Sequence, residues 1–94
     1  MENIITVQKE QINSIKFFPH EVITEKVHKK ILLSDLNRAL ILGNTDHNKV
    51  TIVFKDEGGV LLQVITTIWA VTESYIVLKG GTNIPIKAIA DILF

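Results

Sequence analysis

The chain has 94 residues, 47 % of them hydrophobic, which excludes general disorder and suits one domain. A chain of this size buries only roughly 60–65 % of the surface its unfolded form exposes, so its stability margin is narrow. Ten basic side chains balance ten acidic ones and cysteine is absent, which excludes a net field for polyanions or anionic membranes, disulfides, thiolate nucleophiles and cysteine-based zinc sites.

Both halves are balanced too, with six charges of each sign in residues 1–48 and four of each in 49–94. Residues 1–18 scatter Ile4, Ile5, Val7, Ile12, Ile15, Phe17 and Phe18 among polar side chains at a spacing that matches neither structural period. Ile5, Ile12 and Ile15 fit one helical face, and 15–18 fits a short extended piece. Segment 1–11 lacks the basic region and apolar core of a secretion signal. Pro19 disfavours a helical Phe18, so a boundary falls there. Within 20–33, Ile23, Val27 and Ile31 recur every fourth position, and Glu25 precedes Lys29 at the i, i+4 spacing that supports a helix. The stretch 21–27 also reads as an alternating strand. Ser34 and Asp35 are placed to cap a helix over 36–42 that buries Leu36, Ala39, Leu40 and Leu33, and Gly43 with Asn44 has the residue types of a left-handed stop. The polar residues Thr45, Asp46, His47 and Asn48 then make a turn.

From Lys49 the period becomes two. Val50, Ile52 and Phe54 alternate with Thr51, Val53 and Lys55 as a strand with one inward face, and Asp56-Glu57-Gly58-Gly59 is hairpin chemistry. Residues 60–71 carry no charge and are apolar on both faces, so a strand there must be covered twice. Bending achieves this, by serving two sheets or by closing a barrel. The longest uncharged run, 58–72, is 15 residues, short of the ~20 that span a bilayer as a helix. Residues 75–79 predict a further strand. Gly80-Gly81-Thr82-Asn83 turns the chain into 84–86, where Pro85 suits an edge. A tight turn over 87–89 precedes a last segment, 90–94, with Ala90, Ile92 and Phe94 on one face.

Short strands at regular spacing with glycine-bearing turns predict a mostly β, α+β fold: N-terminal helical segments, then a small, strongly bent, five-stranded antiparallel barrel. Residues 1–33 read as a partly helical extension and 34–94 as a helix plus barrel, together one domain. The order of elements, with Val50-Thr51-Ile52, Val77-Leu78-Lys79 and Ala88-Ile89, resembles the SH3/Sm-like barrel of the bacterial Hfq family of RNA chaperones. The resemblance covers 34–94 and implies that fold. The Tyr-Lys-His triplet that helps bind RNA in that family corresponds to Pro85, Ile86 and Lys87, so the resemblance does not extend to those contacts. Leu42-Gly43-Asn44, followed by Thr66-Thr67-Ile68-Trp69-Ala70, is also similar to short bacterial proteins to which no activity attaches.

No constellation for catalysis, cofactor or metal binding emerges. His20 and His28 are eight positions apart, beyond the spacing that lets two helical histidines share an ion, and His47 lies in a separate turn. Gly58-Gly59 and Gly80-Gly81 lack the Lys-Ser/Thr and the helix of a phosphate loop, and Asp56 with Glu57 sits at a solvated strand end. Two interaction features remain. Trp69, in an apolar run, and Tyr75 are candidate contact aromatics, and Lys26, Lys29 and Lys30 with Arg38 form a basic cluster diluted by Glu21, Glu25 and Asp35. The expectation is a cytoplasmic, non-enzymatic oligomerising or adaptor module whose partner is a second copy or another protein, with no membrane role. An Sm-like RNA- or DNA-binding regulator using the basic cluster is the alternative.

Overall fold

The computed structural model describes residues 4–94; Met1, Glu2 and Asn3, the start of the predicted extension, lie outside it. Strand β1 (Ile5–Thr6) comes first and is followed by a 3-10 helix (Lys9–Ser14) and helix α1 (Lys26–Asp46). Strands β2 (Val50–Lys55), β3 (Leu61–Thr66), β4 (Ile68–Val71), β5 (Tyr75–Leu78) and β6 (Asn83–Pro85) lead through a 3-10 turn (Ile86–Ala88) to β7 (Ile89–Leu93).

The uncharged run divides at Thr67. β3 belongs to a four-stranded sheet of order β1-β3-β2-β7, and β4 to a three-stranded sheet of order β4-β5-β6. This corrects the predicted five-stranded barrel. β7 pairs with β2 and β6 with β5, and no ladder joins β6 to β7, so both sheets stay open. The expectation of a leading helix is overturned as well. Ile5 and Thr6 are extended and pair in parallel with Leu62 and Gln63 ahead of any helix.

Helix α1 also departs from its predicted bounds. One 21-residue helix replaces two shorter pieces, so the division at 33/34 falls inside it and Ser34 and Asp35 are mid-helix rather than caps. Glu25 is the N-cap without a side-chain cap bond, and His47, at φ 56°, takes the left-handed C-cap position expected at Gly43 and Asn44. Packing explains the difference. Leu32, Leu36, Ala39 and Gly43 recur on one face and are all buried, so the helix continues past Gly43 to lay that face on the sheets. A Cβ at Gly43 would lie 2.7 Å from the Ile68 carbonyl oxygen and 2.8 Å from Thr67 Cγ2, so glycine is there for close backbone approach rather than to end the helix.

The core lies between the sheets and under α1. Leu36, Ile52, Phe54, Ile68, Ile76 and Ile89 are completely buried in it. The lead-in closes one side of this core: Ile12 is buried, and Ile15 and Phe17 pack against the cluster. The Phe18 amide donates to the Lys55 carbonyl (3.1 Å), Glu57 to Lys16 (2.8 Å) and Val22 to Lys87 (2.8 Å). The β2–β3 hairpin turn is held by Asp56, whose Oδ1 accepts from the amides of Gly58 and Val60, each at 2.9 Å. Asp56→Ala is expected to lose about 1 kcal/mol of stability, since both bonds are solvated, and a urea titration with unchanged slope checks it.

Candidate interaction site

Trp69 and Tyr75 reach the outside of the three-stranded sheet by different routes. Ile68 pairs with Leu78 and Ala70 with Val77, so Trp69 is the extra residue of a β-bulge. The bulge shifts the alternation of β4. Ile68 points into the core, Ala70 shares the outer face with its partner Val77, and Val71 returns to the inner side opposite buried Ile76. Trp69 is left 48 % exposed. Tyr75 needs no bulge, because simple alternation on β5 buries Ile76 and Leu78 and turns Tyr75 outward opposite Pro85, where it is 40 % exposed. The Thr72 hydroxyl fixes the turn before it by accepting from the amides of Ser74 (3.2 Å) and Tyr75 (3.0 Å). The cross-strand rows Ala70–Val77–Asn83 and Tyr75–Pro85, with Trp69 beside them, make an outer face whose paired positions are uncharged; Glu73 and Lys87 flank it beside Tyr75 and Pro85. At its Tyr75 and Pro85 edge, a groove of about 560 Å3 separates the sheet from α1, with half-exposed Leu33 on the helix side.

The basic cluster does not assemble. Lys29 Nζ lies 2.6 Å from Glu21 Oε2, on the rim of that groove, and is occupied by this pair. Such a partly exposed pair contributes at most about 1 kcal/mol, but it cancels the charge locally. The Arg38 guanidinium stacks 4.5 Å from the centroid of the Phe94 ring, a cation–π contact at the end of β7. Lys26 and Lys30 stay exposed on α1. The exposed side of the helix also carries Val27, Ile31 and Ile41, interrupted by Lys30 and Arg38, so it is a less continuous apolar surface than the sheet face.

The histidines are dispersed. His20 meets Phe18 edge-on at 5.9 Å, His28 Nδ1 is 3.4 Å from Glu25 Oε2, and His47 caps the helix. Among the described residues no three ligand-type side chains come together, and no helix is long and apolar enough to cross a membrane.

One grouping was invisible in the sequence: Lys9, Lys49 and Lys79 line the same groove. They are separated by 40 and 30 positions, each at or near the end of an element, and no local pattern joins them. Comparison with protein-family models, with curated proteins and with solved structures finds no match.

Proposed function

We propose that this chain is a non-enzymatic oligomerising module that pairs with a second copy of itself through the outer face of the β4-β5-β6 sheet, with Trp69 and Tyr75 as anchors. The observation that supports this reading is the bulge at Trp69, which leaves the largest side chain of the molecule about half exposed rather than in the core. Buried aromatics carry a large share of interface energy, and bulges re-aim side chains at such places. A second copy is the favoured occupant because the paired positions of the face are uncharged and the groove at its edge is lined by two acidic and two basic side chains, Glu21, Glu73, Lys29 and Lys87: it can meet itself about a two-fold axis without net like-charge repulsion. The reading places the module in the cytoplasm, where a chain without cysteine loses nothing to a reducing environment. The rival nucleic-acid reading through the α1 cluster is not adopted, because Glu21 and Phe94 engage Lys29 and Arg38.

Sedimentation equilibrium over the micromolar range tests the proposal. A reversible dimer is expected. Trp69→Ser should weaken it at least tenfold, the scale of an interface anchor, while leaving the melting temperature of the monomer within a few degrees. A chain that stays monomeric throughout, or a dimer indifferent to Trp69→Ser and Tyr75→Ser alike, overturns it.

A further inference from the structure

Three lysines from distant parts of the sequence face one open groove of about 380 Å3, walled by Thr6, Thr66 and Thr67. Lys9 belongs to the first 3-10 helix, Lys49 directly precedes β2, and Lys79 directly follows β5. Each of these segments is tied to the region where β3 gives way to β4. The Val7 amide donates to the Gln63 carbonyl (2.8 Å), and the Lys79 amide to the Thr67 carbonyl (2.9 Å). The Thr67 hydroxyl makes a longer contact, 3.4 Å, to the Asn48 carbonyl. The Lys9 ammonium reaches across to the turn after β5: its Nζ lies 3.7 Å from where a Cβ on Gly80 would sit. Gly80 holds φ 97°, a conformation that keeps this turn tight beside Lys79.

Gathering like charges from separate segments opposes folding unless something offsets them. Among the described residues the ion pairs are those of Glu21 with Lys29 and Glu25 with His28, and neither involves these lysines. Glu10 is the one acidic side chain in the lining, so the groove carries three positive charges less one, or +2, in a chain whose net charge is zero.

We propose that this groove binds a dianionic phosphate group, as free phosphate or as the phosphate monoester of a small molecule. The charge matches, since a phosphate monoester bears about −1.5 to −2 at neutral pH. Lysine ammonium groups serve phosphate as point charges, and the Thr6 hydroxyl, which accepts from Gln63 Nε2 (3.0 Å), keeps its own proton to donate beside them. The volume lies at the lower end of small-molecule sites, roughly 300–1,000 Å3. The site is separate from the Trp69 face and does not depend on self-association.

Two-dimensional amide spectra of the full chain, titrated at low ionic strength with inorganic phosphate, adenosine monophosphate, sulfate or a single-stranded RNA, test the assignment. Saturable shifts at the amides of Lys9, Lys49, Thr67 and Lys79 are expected with adenosine monophosphate alone if the ligand is a monoester, and with inorganic phosphate as well if the free anion suffices. Lys79→Gln and Lys49→Gln should each weaken binding about tenfold or more, the scale of one charge-assisted contact, and Lys26→Gln should not. Three results overturn the proposal: no saturable shift at millimolar phosphate or monophosphate, sulfate binding as tightly as phosphate, or an equal loss from Lys26→Gln. Binding of the RNA through the same amides without either small phosphate also overturns it, by assigning the groove to a polymer.

Discussion

Phe54→Ala is expected to remove about 3–5 kcal/mol of stability, the range for deleting a buried aromatic ring. The ring is completely buried on β2, between β-partners Leu62 on β3 and Ile89 on β7, and its centroid lies 5.7 Å from that of Phe17 in a tilted contact. It therefore touches the four-stranded sheet and the lead-in segment at once, and a cavity there cannot be filled by a shift of one side chain. A domain of this length has roughly 5–14 kcal/mol in all, so the variant loses a substantial fraction. Urea unfolding should show a much lower midpoint. A change under about 1 kcal/mol would contradict the packing described for this ring.

The second large effect has a sign that separates two explanations of one residue. In a solvated helix interior, replacing glycine by alanine stabilises by about 1 kcal/mol. At Gly43 the opposite is expected, because the new Cβ would press on the Ile68 carbonyl oxygen at 2.7 Å, a main-chain atom that cannot step aside as a side chain can. Overpacking costs about 1–3 kcal/mol, so Gly43→Ala should be destabilising on balance and Gly43→Val clearly more so. Melting curves of both variants decide it; a stabilised Gly43→Ala would mean that α1 does not press on the start of β4. Since Thr67 Cγ2 is the second atom in the way, the valine variant should also disturb the amides of the lysine groove.

The β half of the chain was largely legible because its elements are local. β2 spans the predicted residues, Asp56 makes the turn its residue type suggested, and the doubly apolar run does bend, at Thr67. The closed barrel was not legible as false, since whether β6 and β7 join is a matter of long-range pairing. α1 misled for a physical reason. Ser34, Asp35 and Gly43 carry cap and stop chemistry, but the demand to bury Leu32, Leu36 and Ala39 on the sheets outweighs local preference. Leu33, expected on the buried side of the helix with Leu36 and Ala39, is instead 40 % exposed. Trp69 and Tyr75 could be singled out as the notable aromatics, but the bulge that exposes Trp69 depends on the register against β5. The basic cluster was read from adjacency along the chain, which says nothing of the Glu21 carboxylate or the Phe94 ring that meet it in space.

The parallel pairing of β1 with β3 has a kinetic meaning. Thr6 and Gln63 are 57 positions apart, whereas Lys55 and Leu61 of the β2–β3 hairpin face each other across a short turn. Closing the longer loop costs about 2 kcal/mol more in chain entropy, and distant pairings form late. The hairpin is thus expected to form before the first strand docks, and until then the edge of β3 at Leu62 and Gln63 is open to any other extended chain. Pairing of Ile5 and Thr6 with these two residues covers that edge, and Lys9, three positions past Thr6, lines the groove with the other two lysines.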